Sequence, residues 1–402
     1  MGEDRVAGDG PAPASRSPLG QARTRPTVTD QAAAQPQAVM GPAGARQRAV
    51  ARQRAGAQQR GDARQPAVDS APEDPPERLR SALAGVRAVL LDMDGVVVLR
   101  GRPIPGAGDA VAALRDRGLP FRFLTNSSLW SREGLSARLS EAGIAVAPGE
   151  IVTALSASAS LTARRWPGRP LYVLAAPDAL REFDGQHLVS DEEADALAAA
   201  QAAGRMPVAG AVGPAAGGTA VAAVVVGDAG RGFTYERLNT AFRLVRGGAR
   251  LVAVHRNRWW LTPDGATIDS GAFVRALEYA AGRRSFLVGK PSPAFFRAAL
   301  ATFVAGGVPA TVAAPPAGDD GSGPASADDG RRASGPDPAA VLMVGDDLQT
   351  DIAAAHRVGL RTAFVLSGKH GAAELEACRS RGRDDLPDAV APSLSGIVAA
   401  LD

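Results

Sequence analysis

From residue 79 onward the apolar positions follow two alternating rhythms. Short unbroken runs, AVLL (88–91) and FRFLT (121–125), each lead into a helical pattern, near 107–117 and near 131–142. An apolar run without polar alternation suits a strand covered on both faces, and a period near 3.6 suits a helix with one buried stripe. Strand, helix, strand, helix in that order predicts a parallel sheet flanked by helices on both sides. Further runs continue the series: LYVLA (171–175), VAAVVVG (221–227), RLVAV (250–254), SFLVG (285–289), VLMVG (341–345) and TAFVL (362–366). The fold class is α/β.

Three stretches keep neither rhythm. Residues 1–78 contain no aromatic residue, no isoleucine and a single leucine, Leu19, so they cannot bury enough apolar area to offset their ordering entropy. They are expected to form a disordered tail. Residues 200–219, rich in alanine and glycine, and residues 305–339, rich in glycine, proline, alanine and aspartate, read as surface insertions that cost little to close. What remains is roughly 270 residues, about two domains at ordinary size.

Composition changes this picture in a few places. Hydrophobic residues make up 45% of the chain but aromatic ones only 4%, so the core is aliphatic. The net charge is +3, and many of the arginines lie in the first 70 residues. The basicity therefore belongs to the tail, and no nucleic-acid partner is expected. A single cysteine, Cys378, excludes an internal disulfide framework and suits a reducing compartment. No stretch has the apolar core of a signal peptide or the ~20 apolar residues of a membrane span, so a cytoplasmic protein without a membrane partner is expected.

The candidate chemistry begins at LLDMDGVV (90–97), where an apolar run meets Asp92 and Asp94. Open α/β sheets place ligands at the C-terminal ends of their strands, and residues i and i+2 of a strand share a face. Two carboxylates side by side are costly unless a positive group joins them, and a divalent cation is the natural candidate. Three more strand ends carry polar residues: Thr125, Asn126, Ser127 and Ser128 in FLTNSS; Lys290 in VGKPSP; and Asp346 and Asp347, with Asp351 a turn later, in MVGDDLQTD. Each alone is weak, since Thr-Asn at a strand end is usually a helix cap. Together, in this order, they describe one site. Of the 45 basic residues only Lys290 and Lys369 are lysine. A lysine kept in so arginine-rich a chain suggests a place for a compact ammonium among carboxylates and a phosphate, where a planar guanidinium would not fit. Lys290 is followed by proline and lacks the upstream glycines of a Walker loop.

These four segments resemble the four motifs of the haloacid dehalogenase (HAD) superfamily. More narrowly, the chain is similar to subfamily IIA, whose large cap of the C2 type lies between the second and third motifs and which includes 4-nitrophenyl and phosphoglycolate phosphatases. GDAGRGFTYERLNTAF (227–242), HRNRWW (255–260), FVRALEYAAG (273–282) and VGKPSPAFF (288–296) most resemble the phospholysine phosphohistidine inorganic pyrophosphate phosphatase group. The resemblance implies a Rossmannoid parallel-sheet core at 79–155 and 269–402 and an α/β cap at 156–268. It implies a Mg²⁺-dependent phosphatase for small phosphomonoesters, with pyrophosphate or phosphoramide hydrolysis, or phosphotransfer, as alternatives. Asp92 would be the nucleophile and Asp94 the acid and base. Thr125 and Asn126 would hold the phosphoryl oxygens, Asn126 largely through its backbone N–H, and Lys290 would neutralise nucleophile and phosphate. Asp92, Asp346 and the backbone carbonyl of Asp94 would bind Mg²⁺, and Asp351 would orient Lys290 or a metal-bound water. The role of Asp347 is left open. The resembled group carries serine where this chain has Asp94, which favours monoesters here, because an alkoxide leaving group needs a proton. Arg256, Arg258, Trp259 and Trp260 are candidate selectivity residues of the cap, His255 reads as an ordinary core histidine, and a homodimer through the cap is expected.

Overall fold

The computed structural model describes residues 73–203, 220–303, 336–382 and 386–401. The strand β1 (Ala88–Leu91) is buried at every position. After it come a hairpin of β2 (Val98–Leu99) and β3 (Arg102–Pro103), then β4 (Phe121–Thr125) and β5 (Ile151–Thr153). A second set of strands follows: β6 (Leu171–Leu174), β7 (Ala223–Val226) and β8 (Arg250–Ala253), then a hairpin of β9 (Trp259–Thr262) and β10 (Gly265–Ile268), and then β11 (Phe286–Leu287). The chain closes with β12 (Val341–Gly345), β13 (Arg361–Val365) and β14 (Ala389–Ala391).

Six of these strands form one parallel sheet in the order β14-β13-β12-β1-β4-β5, with Leu91 opposite Val344 on one side and Phe123 on the other. Both faces are covered, which is why the strands read as unbroken apolar runs. Leu91, Phe123 and Val344 point into one cluster with Leu114 and Ile397. Leu90, Leu124 and Met343 point the other way, into a cluster that reaches Val173, Val225 and Val252 of a second parallel sheet, β11-β8-β7-β6. Leu155, Phe295 and Phe296, from the helices Ala154–Arg165 and Pro293–Ala301, fill the space between. The outer face of the second sheet is covered by the helices Tyr235–Arg246 and Ser270–Ala281 through Leu244, Val274 and Leu277.

The structure departs from the sequence reading in three places. The helix Pro76–Leu83 starts inside the expected tail; a proline opens it, Leu79 and Leu83 are buried, and Asp74 is tied to Val390 by main-chain and side-chain hydrogen bonds. Strands β5 and β14, three residues each, are too short to stand out as apolar runs. The second sheet also runs past residue 268: Phe286 of β11 pairs with Val252 of β8, and the helix Ser270–Ala281 packs on that sheet. The tail reading over 1–72 and the insertions over 204–219 and 304–335 fall outside the described residues. No helix among the described residues is long and apolar enough to cross a membrane.

Candidate active site

Asp92 follows β1 directly, and its N–H donates to the Val344 carbonyl at 2.9 Å, so the chain is still in the sheet when the carboxylate appears. Its Oδ1 accepts from the Met93 N–H at 2.7 Å. Gly95 then turns the backbone at φ 83° into the β2–β3 hairpin. A side chain on Gly95 would strike the carboxylate of Asp346 and lie 2.9 Å from the Gly368 Cα. Gly95→Ala should therefore cost stability through its backbone angle and displace Asp346. The expected outcome is a Tm several degrees lower and a loss of at least ~10-fold in turnover, whereas Gly85→Ala, at a similar angle in open space, should cost stability alone.

Asp346 and Asp351 come from the end of β12. Asp346 Oδ2 accepts the Lys369 N–H at 2.5 Å. Asp351 Oδ2 accepts the Asp347 N–H at 3.1 Å, and its Oδ1 lies 2.7 Å from Lys290 Nζ. Asp347 serves the local backbone instead. Its Oδ1 caps the following turn by accepting from the Gln349 and Thr350 N–H groups, and its Oδ2 lies 3.5 Å from Lys369 Nζ.

Lys290 arrives from the other sheet. The N–H groups of Val288 and Gly289 donate to the carbonyls of Ala253 and Val254, which continues the pairing of β11 with β8. Lys290 Nζ then lies 2.7 Å from both Asp92 Oδ1 and Asp351 Oδ1, with the side chain 2% exposed. Asn126, just past β4, fixes this segment from the core side. Its Oδ1 accepts the Lys290 N–H at 2.8 Å and its Nδ2 donates to the Lys290 carbonyl at 3.1 Å. Its side chain is thus spent on holding the lysine, which leaves its backbone N–H for a ligand. Gly289 permits the approach, since a Cβ there would lie 2.6 Å from the Ala154 Cβ and 2.7 Å from the Val254 carbonyl. Thr125 Oγ1 accepts the Ser127 N–H at 3.0 Å, so its own O–H remains to donate.

The electrostatics of this cluster are dominated by burial. Asp92 has a raised pKa because burial outweighs the pull of Lys290. Asp346 is pushed well above the usual carboxylate range by burial and by Asp92. Asp351 is pushed up to about 7 by burial, against the pull of Lys290. Asp94 is pushed up to about 6 by the protein walls around it, with Lys290 opposing and Asp269 adding to the shift, although the residue keeps an exposed face toward the cavity. Lys290 is held charged: burial pulls its pKa down, but Asp351 and Asp92 outweigh that and raise it. One ammonium among four carboxyls leaves an excess of negative charge. Oxygens of Asp92, Asp346 and Asp351 lie within 4.8 Å of one another, the one such group among the described residues. That donor set, all oxygen and anionic, fits a hard divalent cation. Both Asp351 oxygens are already engaged, so Asp92 and Asp346 are the side chains free to hold it.

Above these residues lies a cavity of about 770 Å³ between the two sheets' loops. Asp92, Asp94, Thr125, Asn126, Lys290 and Asp346 all line it, so the expected residues of the four motifs do meet. Trp259 and Trp260 line it too. Arg256 does not: its guanidinium donates to Glu278 at 3.0 Å and to the Ser285 carbonyl at 2.5 Å, and so anchors the end of the helix Ser270–Ala281. Arg258 is exposed outside the cavity. His255 is buried at the cavity wall, bonded to Ser128 Oγ at 3.0 Å and Ser270 Oγ at 3.2 Å. The lining also includes polar residues that the sequence did not single out for the site, among them Asp228, Asn257, Asp269 and Lys369. The scarcity of lysine that singled out Lys290 applied equally to Lys369.

Comparison with known proteins agrees with this geometry. A family model described as haloacid dehalogenase-like hydrolase matches residues 89–188, and a second, HAD-hydrolase-like, matches 287–397. The human haloacid dehalogenase-like hydrolase domain-containing protein 2 is 30% identical over 74% of this chain and 90% of its own. The chain belongs to the haloacid dehalogenase-like hydrolases. Within this HAD family it is also similar to the phospholysine phosphohistidine inorganic pyrophosphate phosphatase of Xenopus laevis, 30% identical over 71% of this chain and 85% of that one. Among solved HAD structures, p-nitrophenyl phosphatase from Archaeoglobus fulgidus superposes with a TM-score of 0.60 at 25% identity, covering 79% of this chain and 99% of that one.

Proposed function

We propose that this HAD phosphatase hydrolyses small-molecule phosphomonoesters with the help of Mg²⁺, through a phosphoryl group carried on Asp92. The observation that carries the reading is Lys290 Nζ at 2.7 Å from both Asp92 and Asp351, with Asp346 in the same cluster at the strand ends. In the first step Asp92 attacks phosphorus and the bond to the leaving oxygen breaks. Thr125 Oγ1–H and the Asn126 N–H donate to the phosphoryl oxygens, and Lys290 offsets the charge on nucleophile and phosphate. Asp94, protonated at the start, gives its proton to the leaving oxygen. In the second step it takes a proton from water, which attacks phosphorus, frees phosphate and restores Asp92. Asp92, Asp346 and the backbone carbonyl of Asp94 would hold Mg²⁺. When bound, it supplies positive charge that removes the repulsion between an anionic nucleophile and a phosphate dianion.

Purified protein should release 4-nitrophenol from 4-nitrophenyl phosphate, lose that activity to a chelator and regain it with Mg²⁺. Asp94→Asn separates the proton-transfer role from metal binding. On an alkyl phosphate, whose leaving oxygen needs a proton, kcat should fall by ~10²–10⁴. On 4-nitrophenyl phosphate, whose leaving group departs as a stable anion, the first step should fall far less. An equal fall of the first step on both, read as kcat/KM, would rule out Asp94 as the acid. Asp94 also favours monoesters over pyrophosphate-type bonds, and a higher kcat/KM on imidodiphosphate than on every monoester tried would reverse that preference.

A further inference from the structure

The cavity walls differ in charge. The second sheet and its loops contribute Asp228, His255, Asn257, Trp259, Trp260 and Asp269, two carboxylates and no lysine or arginine. Asp269 is 5% exposed; its Oδ1 accepts the Ser270 N–H at 2.6 Å and lies 3.8 Å from His255 Nε2. Asp228 Oδ1 accepts the Gly230 N–H at 2.7 Å, and its own N–H donates to Ser128 Oγ at 2.9 Å. Neither carboxylate has a lysine or arginine partner among the described residues. The negative charge of Asp269 is felt at both Asp94 and Asp228, so Asp269 lies near the group that addresses the leaving oxygen, and Asp228 lines the same cavity. The cations of the facing wall are engaged or exposed. Lys290 is held between carboxylates, Lys369 lies by Asp347 and 4.7 Å from the Trp259 ring centre, Arg138 stacks at 4.2 Å on Trp130, and Arg100 and Arg102 are exposed.

We propose that Asp228 and Asp269, with the indole of Trp260, select a leaving group that carries a positive charge, an amino alcohol, so that the preferred substrates are aminoalkyl phosphates. An ammonium here gains two carboxylates and an aromatic face, whereas a carboxylate or second phosphate on the leaving group meets like charge. The inference rests on the phosphatase reading above.

The test uses 2-aminoethyl, 2-hydroxyethyl and carboxymethyl phosphate, three esters of similar size that differ in charge. Each is followed by phosphate release and as a competitor of 4-nitrophenyl phosphate, so that inhibition constants give the order even for an ester turned over slowly. The expected order is amino, hydroxy, carboxy, with at least ~10-fold between the first and the last. Asp269→Asn keeps the helix cap and Asp228→Asn keeps the bond to Gly230, so each removes charge alone. Each should shrink the amino-over-hydroxy ratio several-fold, mainly through KM; should one not fold, the other and the wild-type order decide. A carboxymethyl ester that equals or beats the aminoethyl ester, or a ratio unmoved in both variants, overturns the proposal. Absence of any turnover of 4-nitrophenyl phosphate would instead bring down the phosphatase reading, and this inference with it.

Discussion

Asp92→Asn is expected to lower kcat by roughly four orders of magnitude or more while leaving the fold intact. Asparagine has the same shape, and its Oδ1 can still accept from the Met93 N–H and from Lys290. Lys290 keeps its second partner, Asp351, at 2.7 Å, so no buried charge is stranded. What is lost is the anionic oxygen that attacks phosphorus, and a neutral amide has no comparable nucleophile to offer. A loss of ~10⁴ corresponds to about 5 kcal/mol of transition-state stabilisation, well beyond what a shifted hydrogen bond accounts for. Because burial already disfavours the charged form of Asp92, removing that charge should leave the Tm unchanged or raise it. The measurements are steady-state turnover of 4-nitrophenyl phosphate, a thermal melt, and radiolabelling from a phosphorylated substrate, which should mark the wild type but not the variant. Turnover within tenfold of wild type would sink the covalent mechanism.

Most of this site was legible because its residues sit where short apolar strands end, and strand ends can be read from hydrophobic runs. Asp92 and Asp346 follow β1 and β12, and Thr125 ends β4 of the same sheet, as the alternating pattern predicts. Lys290 follows the run SFLVG, and composition supports it independently, since one of two lysines among 45 basic residues needs a reason. Which sheet that run joins was not legible. It belongs to the edge of the second sheet through a two-residue strand, and only a register could show that. The side chain of Asn126 also escaped the reading, because its partners lie 164 residues away in the chain. Arg256 and Arg258 looked like selectivity residues from their neighbours in HRNRWW, but a neighbour in sequence fixes no direction in space. Arg256 turns toward Glu278 and Ser285 instead. Asp228 and Asp269 sit at a strand exit and a helix cap, where an acidic residue is ordinary, so only the shared cavity sets them apart.

Lys290→Met should be the most destabilising single change at the site, and its effect should grow with pH. Methionine matches the length of the lysine stem and tolerates an apolar slot, so packing is largely kept. The charge is not. Asp351, 0% exposed, and Asp92 lose the one ammonium beside them among the described residues, and removing one partner of a buried ion pair costs about 3–5 kcal/mol. The direction with pH follows from Asp351, whose folded pKa of about 7 stands above its ordinary 3.8. A carboxyl raised on folding contributes stability that is fully present below 3.8 and is lost as pH rises through the folded value. Lys290 pulls that value down, so its removal moves the window upward and adds about 1.4 kcal/mol per pH unit per group until the new value is reached. Urea denaturation without divalent cation at pH 5 and pH 8 should therefore show a gap between wild type and variant that is clearly wider at pH 8. Lys290→Arg provides the second arm. It restores the charge, so it should recover most of the stability, but the longer, planar guanidinium replaces an ammonium seated 2.7 Å from both Asp92 and Asp351 and must push at least one of them out of place, so turnover should stay low. An equal loss at both pH values would show that Lys290 acts there through its packing alone, and full activity in the arginine variant would show that any cation suffices.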